Sequence, residues 1–230
     1  MTAQLLDTTS ATAGVTSLTS GTVTPAQGTL VVIAVGLLDT GSANKQVSSV
    51  SHTVPGLGTF SRVVQRSDYY ATPNLSVAVD LWAAVQSGSS GAGGTITANL
   101  SEGMEYAAMH TVQLSNVKLD PGAARTFTGT VDGNSLAIPL SPAVQPNELA
   151  LGCVMSQSAG GGTSAGITPG TGWTELGDIA LDSWKASQTQ FTTNAGVGQC
   201  DWSSLAGANT GACAIFPPPG TGAGALAGFV

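Results

Sequence analysis

Short runs of apolar, β-branched residues with a two-residue period constrain this chain more than any other feature. In "LSVAVDLWAAV" (Leu75 to Val85), positions 75, 77, 79, 81 and 85 are Leu, Val, Val, Leu and Val, which places them on one face of a strand. Glycine, serine, asparagine and proline bound such runs, and no long window carries the apolar stripe and caps of a helix. The sequence therefore predicts an all-β fold of antiparallel strands.

Similar runs predict most of the remaining strands. They are Thr29–Leu37, Phe60–Ser67, Gly94–Leu100, Ala107–Val117, Asn147–Met155, Gly172–Leu181, Ser183–Thr189 and Ala212–Phe216. "TFTGTVDGNSLAIPL" (Thr126 to Leu140) predicts a local hairpin, because Asp132-Gly133 supplies turn residues between two β-rich arms.

Four motifs recur in the same order, at offsets of about 100 to 120 residues. "VPGLGTF" matches "TPGTGW", "DLWAAVQS" matches "DSWKASQT", "GTLVVIAVG" matches "NELALGCVM", and "AAMHTV" matches "GACAIF". This pattern predicts an internal duplication whose halves, about 26–117 and 118–217, face each other in one jelly-roll-like antiparallel β-sandwich. The aromatic residues after Pro-Gly-x-Gly, Phe60 and Trp173, would be equivalent inward anchors. Tandem small sandwiches that divide near Asp120 are the alternative.

The two ends of the chain differ from this 26–217 sandwich domain. "FPPPGTGAGALAGFV" is uncharged, and its prolines favour an extended arm over residues 218–230. Leu226, Phe229 and Val230 are its candidate partner contacts, since glycine and alanine let a backbone approach another strand edge closely. Residues 1–25 are a second candidate arm. Simple fraying of both termini is the alternative.

Charged residues make up only 8 % of the chain, against about 25 % in an average soluble domain. We therefore expect other subunits, as a dimer or trimer, to cover much of the surface; a rigid secreted β protein coated with serine and threonine is the alternative. The net charge of −7 and the absence of a basic run argue against nucleic acid as a partner.

The sequence also bears on where the chain folds. Its start lacks the basic and apolar regions of a secretory signal, and the apolar run Leu30–Leu38 is too short to insert into a membrane as a helix. Three cysteines, an odd number, predict buried free thiols. A Cys200–Cys213 bridge is expected only in an oxidising compartment. Folding in the cytoplasm follows from these features.

No pattern in the sequence predicts catalysis, a cofactor or a metal. His52 and His110 have no local partner motif and are expected to be ordinary strand residues, and no Gly-x-Ser-x-Gly elbow occurs. Asp80 and Asp182 correspond through the repeat and are not an acid–base pair. We therefore expect a protein that is not an enzyme, with a secreted hydrolase as a distant alternative.

The tryptophans are the remaining candidates for ligand contact. Trp82 and Trp184 occupy matching places in the repeat, which predicts that both lie in the core. Trp202, in "CDWSSL", lies outside the repeat and is the candidate for an exposed ring that stacks on a sugar.

The layout "GTLVVIAVG … TPGTGWTEL … DSWKA" resembles β-sandwich proteins of tailed-phage virions: head-decoration, head-fibre and minor tail proteins. The resemblance extends from about Ala26 to Pro217, although "GLGTF" in the first half lacks the tryptophan. It implies a virion structural protein, made in the host cytoplasm, that contacts copies of itself and other virion proteins. The most direct expectation is capsid decoration or a minor capsid role. A fibre or tail-tip module that binds a host-surface glycan or receptor is the alternative.

Overall fold

The computed structural model describes residues 1–41, 44–71, 74–159, 166–182 and 184–220. Its strands are β1 (Thr2–Thr19), β2 (Thr29–Thr40), β3 (Val47–His52), β4 (Ser61–Tyr70), β5 (Leu75–Gln86), β6 (Ile96–Ser115), β7 (Arg125–Asp132), β8 (Ser135–Pro139), β9 (Leu149–Ala159), β10 (Thr168–Pro169), β11 (Thr174–Ala180), β12 (Ala186–Thr192), β13 (Gln199–Ser203) and β14 (Leu205–Phe216). One turn of 3-10 helix, Pro121–Ala123, separates β6 from β7. The predicted all-β fold is confirmed.

The strands form three antiparallel sheets. A six-stranded sheet has the order β1-β6-β2-β5-β4, with β3 also paired to β6. A five-stranded sheet has the order β11-β12-β9-β14-β7, and a three-stranded sheet has the order β10-β13-β8. Every pairing within them is antiparallel, and the two larger sheets pack face to face as the predicted sandwich.

The two halves of the chain share one strand order. Across the large sheets, β1-β6-β2-β5-β4 corresponds to β7-β14-β9-β12-β11. We call β1 to β6 the N-terminal unit and β7 to β14 the C-terminal unit. The small layers correspond as well: β13 leads into β14 and pairs with β8 and β10, as the first part of β6 pairs with the end of β1 and with β3. Each unit is therefore a jelly-roll-like pair of layers.

The corner between the two layers is built differently in each unit. In the N-terminal unit, β1 bends through it at Ala13 and Gly14, which have φ angles of 67° and 70°, and its register on β6 shifts there. In the C-terminal unit the chain breaks into β7 and β8, which belong to different sheets. The predicted hairpin Thr126–Leu140 is therefore wrong. Asp132-Gly133 turns the chain, but the two arms pair with β14 and β13 instead of with each other.

The N-terminal residues belong to the six-stranded sheet. β1 pairs with β6 from Thr2 opposite Ser115 to Thr19 opposite Thr97. The sequence assigned residues 1–25 to an arm because this stretch of threonine, serine and alanine lacks strong apolar alternation, which a half-exposed edge strand does not require. Of the predicted C-terminal arm, residues 221–230 lie outside the described residues.

Three apolar clusters form the core. One lies between the two large sheets, and each of the other two lies inside one unit. In β2, Leu30 and Val32 face the C-terminal unit, whereas Val31 and Ile33 face the core of their own unit. Because both faces of β2 are covered, its sequence is continuously apolar. The predicted central sandwich and the alternative of two small sandwiches are thus both present.

The two units pack with a pseudo-two-fold relation. β2 packs on its counterpart β9, β1 packs on β11, and β4 packs on β7. Since β11 is the counterpart of β4 and β7 is the counterpart of β1, these three contacts are reciprocal, as in a symmetric dimer. β14 also packs on β4 and β5 without an equally close packing of β6 on β11 and β12, so the two-fold relation is approximate. Gly36 of β2 permits the close approach, because a Cβ there would lie 3.0 Å from both Met155 Sδ and Ser187 Oγ.

The aromatic residues after the two Pro-Gly-x-Gly motifs lie at equivalent places. Phe60, just before β4, is buried in the N-terminal unit, and Trp173, just before β11, is buried in the C-terminal unit. Their predicted role as inward anchors is confirmed. The prediction that Trp184 lies in the core is wrong: it occupies the turn between β11 and β12, and 52 % of its surface is exposed. Trp82, on β5, is half-buried.

Candidate interaction surfaces

The two aspartates that the repeat matched do not occupy equivalent positions. Asp80 is buried within β5, where it pairs in register with Val35, whereas Asp182 lies in the β11–β12 turn. In the C-terminal unit the position of Asp80 is taken by Gln188, which pairs with Val154, the counterpart of Val35. The sequence motif therefore aligned Asp80 with a residue of the β11–β12 turn instead of with its structural counterpart, Gln188 on β12.

Asp80 and Gln188 nevertheless serve the same structural purpose. Asp80 Oδ2 accepts the N–H of Val47 at the start of β3 (2.7 Å), and its Oδ1 lies 3.0 Å from Arg62 Nε. Gln188 donates to the carbonyl of Ile167, just before β10, the counterpart of β3. Burial raises the pKa of Asp80 to about 6, although the Val47 hydrogen bond and Arg62 oppose this. Both side chains tie a small layer to a large sheet.

An imidazole, a hydroxyl and a thiol meet between the two large sheets. His110 Nε2 lies 3.3 Å from Ser187 Oγ, which donates to the Val154 carbonyl (3.0 Å) and lies 3.9 Å from Cys153 Sγ. All three side chains are buried completely. Burial lowers the pKa of His110 to about 4 and raises the pKa of Cys153 to about 11. The neutral groups fill the interface between the units.

Every basic residue of the chain is engaged in an ion pair. The pairs are Lys45 with Asp39 and Glu102, Arg62 with Asp80, Arg66 with Asp68, Lys118 with Asp120, Arg125 with Glu148, and Lys185 with Asp182. Seven of the 13 acidic residues take part in these pairs, and the other six have no basic partner among the residues that the structure describes. The unpaired polar groups that the surface offers to a partner protein are therefore hydroxyl, amide and acidic groups.

The outer edge of β1 is long and carries little charge. β1 spans 18 residues, and its single charged residue is Asp7. The other edges of the two large sheets are β3, β4, β7 and β11. β3 is uncharged but only six residues long, and each of the other three carries at least two charged residues over ten residues or fewer. Charges on an edge strand discourage pairing with other chains. Within the described residues, the backbone of β1 pairs only with β6, so its other edge is open to a partner strand.

Two exposed aromatic residues lie at the turns of equivalent hairpins. Tyr69, at the end of β4, is 45 % exposed, and its hydroxyl donates to Asn74 Oδ1 (2.7 Å). Trp184 lies in the turn between β11 and β12. The N–H of Lys118 donates to the carbonyl of Pro217 (2.9 Å), so β6 and β14 end at the same end of the sandwich. The two hairpin turns therefore share the opposite end.

Asp182 bonds to both Trp184 and Lys185 in the turn between β11 and β12. Asp182 Oδ1 accepts the N–H groups of Trp184 (2.7 Å) and Lys185 (2.8 Å). Lys185 Nζ lies 2.8 Å from Asp182 Oδ2 and 4.2 Å from the centre of the Tyr106 ring. Although burial opposes it, hydrogen bonds from Lys185 and the backbone lower the pKa of Asp182 to about 2. Asp182 was the sequence signal for a turn at Trp184, because aspartate side chains often accept backbone N–H groups in turns.

The structure does not expose Trp202, the predicted sugar contact. The ring is 1 % exposed and lies on two glycines of the five-stranded sheet: a Cβ on Gly152 would be 3.0 Å from it, and a Cβ on Gly211 would be 3.2 Å away. Strand alternation in β13 turns Cys200 and Trp202 inward together. The expected exposure is therefore wrong. Leu226, Phe229 and Val230, the other predicted contacts, lie outside the described residues.

In the ranges that the structure describes there is no pocket, no cluster of three potential metal ligands, and no helix long and apolar enough to span a membrane. The chain matches no protein-family model, no curated protein and no solved structure. Its own surfaces are therefore the basis for assigning a function.

Proposed function

We propose that this chain is a structural protein of a bacteriophage particle, a capsid decoration or minor capsid protein that acts by contact with copies of itself and with other virion proteins. The motif resemblance to tailed-phage virion proteins supports the proposal. The observation that carries it is the open, nearly uncharged edge of β1.

A strand from a neighbouring chain would extend the six-stranded sheet at β1. Each backbone hydrogen bond formed there contributes about 0.5–1.5 kcal/mol, so a pairing of several residues is strong enough to hold a subunit. The exposed residues Ser10 and Thr12 present small hydroxyl side chains that do not obstruct such a strand. Since the only charged residue of β1 is Asp7, pairing along this edge desolvates no cation of the strand.

The aromatic hairpin turns supply a second contact. Tyrosine and tryptophan are among the residue types that most often dominate interface energies. Tyr69 and Trp184 lie at one end of the sandwich, whereas β14 ends at the other. These places suit contacts with different neighbours in a lattice.

A pair of lysines on β1 tests the proposal. The variant Ser10→Lys/Thr12→Lys should fold normally, because both side chains are exposed, yet its copies per particle should fall by about tenfold. The matched control, Thr126→Lys/Thr174→Lys, places the same charges at exposed threonines on β7 and β11. Densitometry of purified particles gives the copy numbers. Equal loss in both variants, or no loss in either, contradicts the β1 contact.

The exposed ring of Trp184 favours one alternative, a fibre or tail-tip module that binds a host-surface glycan. Sugars stack on exposed tryptophan faces, and the neighbouring Asp182 and Lys185 offer polar contacts. The alternative predicts few copies per particle and binding of purified protein to host cells. Trp184→Ala should then abolish binding while Tyr69→Ala preserves it. Many copies per particle together with no binding exclude it.

A further inference from the structure

Two of the three cysteines lie together in the core of the C-terminal unit. Cys200 is on β13 in the three-stranded sheet, and Cys213 is on β14 in the five-stranded sheet. Both are fully buried in the same apolar cluster. Two side chains from facing layers can meet only where the layers approach closely, because packed sheets are usually about 10 Å apart.

Gly152 provides that close approach. It lies directly opposite Cys213 in the pairing of β9 with β14. A Cβ on Gly152 would lie only 2.4 Å from Cys200 Sγ, so the Cys200 thiol occupies the space that a side chain at position 152 would fill. Side chains opposite each other in paired strands point to the same face. The Cys200 sulfur therefore lies on the same face of the five-stranded sheet as the Cys213 side chain, beside the position that is paired with Cys213.

Cys153 is next to Gly152 in the chain but points the other way. It lies in the cluster between the two large sheets, 3.9 Å from Ser187 Oγ. Successive residues of a strand face opposite sides, which keeps this thiol out of the Cys200–Cys213 layer. The molecule therefore contains its own control cysteine.

We infer that Cys200 and Cys213 form a disulfide that joins the two layers of the C-terminal unit when the chain folds in the presence of a disulfide oxidant. Each thiol gives up one hydrogen as the sulfur–sulfur bond forms, and the oxidant, such as oxidised glutathione, is reduced to two thiols. This inference does not depend on the proposed virion role.

Burial determines when the bond can form. Neither thiol is exposed in the fold, and burial raises the pKa of Cys200, which suppresses the reactive thiolate. The folded, reduced protein should therefore resist oxidised glutathione, whereas the refolding chain should react. A protein folded in a reducing cytoplasm keeps the dithiol.

Refolding of the full chain in a glutathione redox buffer tests the inference. The product should contain no disulfide between chains, be lighter by two hydrogens, and hold one titratable thiol after denaturation, which peptide mapping should assign to Cys153. Its Tm should exceed that of the reduced protein by several degrees. Cys153→Ser should still form the bond, with no thiol left.

Other outcomes overturn the inference. Three titratable thiols after refolding, a bond that involves Cys153, or a lower Tm of the oxidised protein would each show that the geometry does not accept the bond. Cys213→Ser, which should keep both remaining thiols free, verifies the assignment. If that variant fails to fold, the thiol count and peptide map of the unmodified chain still decide.

Discussion

Two buried polar residues in this molecule join its layers. Asp80 and Gln188 occupy one position of the repeated topology. Asp80 accepts the N–H of Val47, the first residue of β3, and Gln188 donates to the carbonyl of Ile167, just before β10. Their chemistry differs while their position is the same. His110 has a comparable position between the units, where only its neutral form is tolerated.

His110 should make the stability of the protein depend on pH. Its pKa is about 4 in the folded chain against 6.5 unfolded, so acidification from pH 6.5 to 4 protonates the unfolded state first and removes stability, up to about 3 kcal/mol. When the pH is lowered from 7 to 4.5, the free energy of unfolding of the His110→Gln variant should therefore rise by about 2–3 kcal/mol relative to that of the unmodified protein. Urea unfolding at the two pH values measures the difference.

Asp80 supplies the converse control. Its folded pKa of about 6 lies above the unfolded value of 3.8, so it contributes stability that is present below pH 3.8 and lost as the pH rises through 6. Asp80→Asn should remove this gain on acidification and leave the loss due to His110. A His110→Gln variant with the same pH dependence as the unmodified protein would refute the argument.

At the scale of elements, the central strand β2 decides how the units meet. Its two faces serve two different cores, and Gly36 lets β9 and β12 approach without a side chain between them. The strand propensity of this run was readable from its β-branched residues. Its place in the middle of the molecule was not, because an apolar run of this length fits any buried strand.

Gly36→Ala tests the close approach. The added Cβ would lie 3.0 Å from Met155 Sδ and from Ser187 Oγ and should cost about 1–3 kcal/mol in the free energy of unfolding. Gly133→Ala is the matched control, because its nearest neighbour would be Val131 Cγ2 at 3.6 Å. Denaturant midpoints measure both. Equal stability of the two variants would mean that the space between the sheets at Gly36 accommodates an added methyl group, which contradicts the close approach.

Period-two patterns and turn residues predicted the inner strands and the edge strands β4 and β11, whereas the edge strand β1 needed the structure. β1 was overlooked because its run of Thr, Ser and Ala has little apolar content, although it pairs along most of β6. The Asp132-Gly133 turn was identified correctly, but a turn sequence does not reveal whether the next strand stays in the same sheet. Trp184 was expected in the core and Trp202 at the surface, and the structure shows the reverse. Their exposure depends on where a strand ends and on which face of a strand a residue lies, which the motifs did not reveal.

At the scale of the whole molecule, two jelly-roll-like units pack as a pseudo-symmetric pair, so one chain reproduces the interface of a dimer. This packing covers the large faces of both large sheets and leaves edges and turns for other partners. The lysine and arginine side chains are likewise satisfied within the chain, since all six form ion pairs with its acidic residues. Contact through β1 is the role that these features favour.

Hydrogen–deuterium exchange on the assembled particle and on the free protein tests that role most directly. If a neighbouring strand adds to β1, amides within residues 2–19 should exchange at least about tenfold more slowly in the particle, which corresponds to about 1.4 kcal/mol. The amides of β7, an edge strand of the other large sheet, are the internal reference. Unchanged exchange in β1 on assembly would contradict the proposed contact.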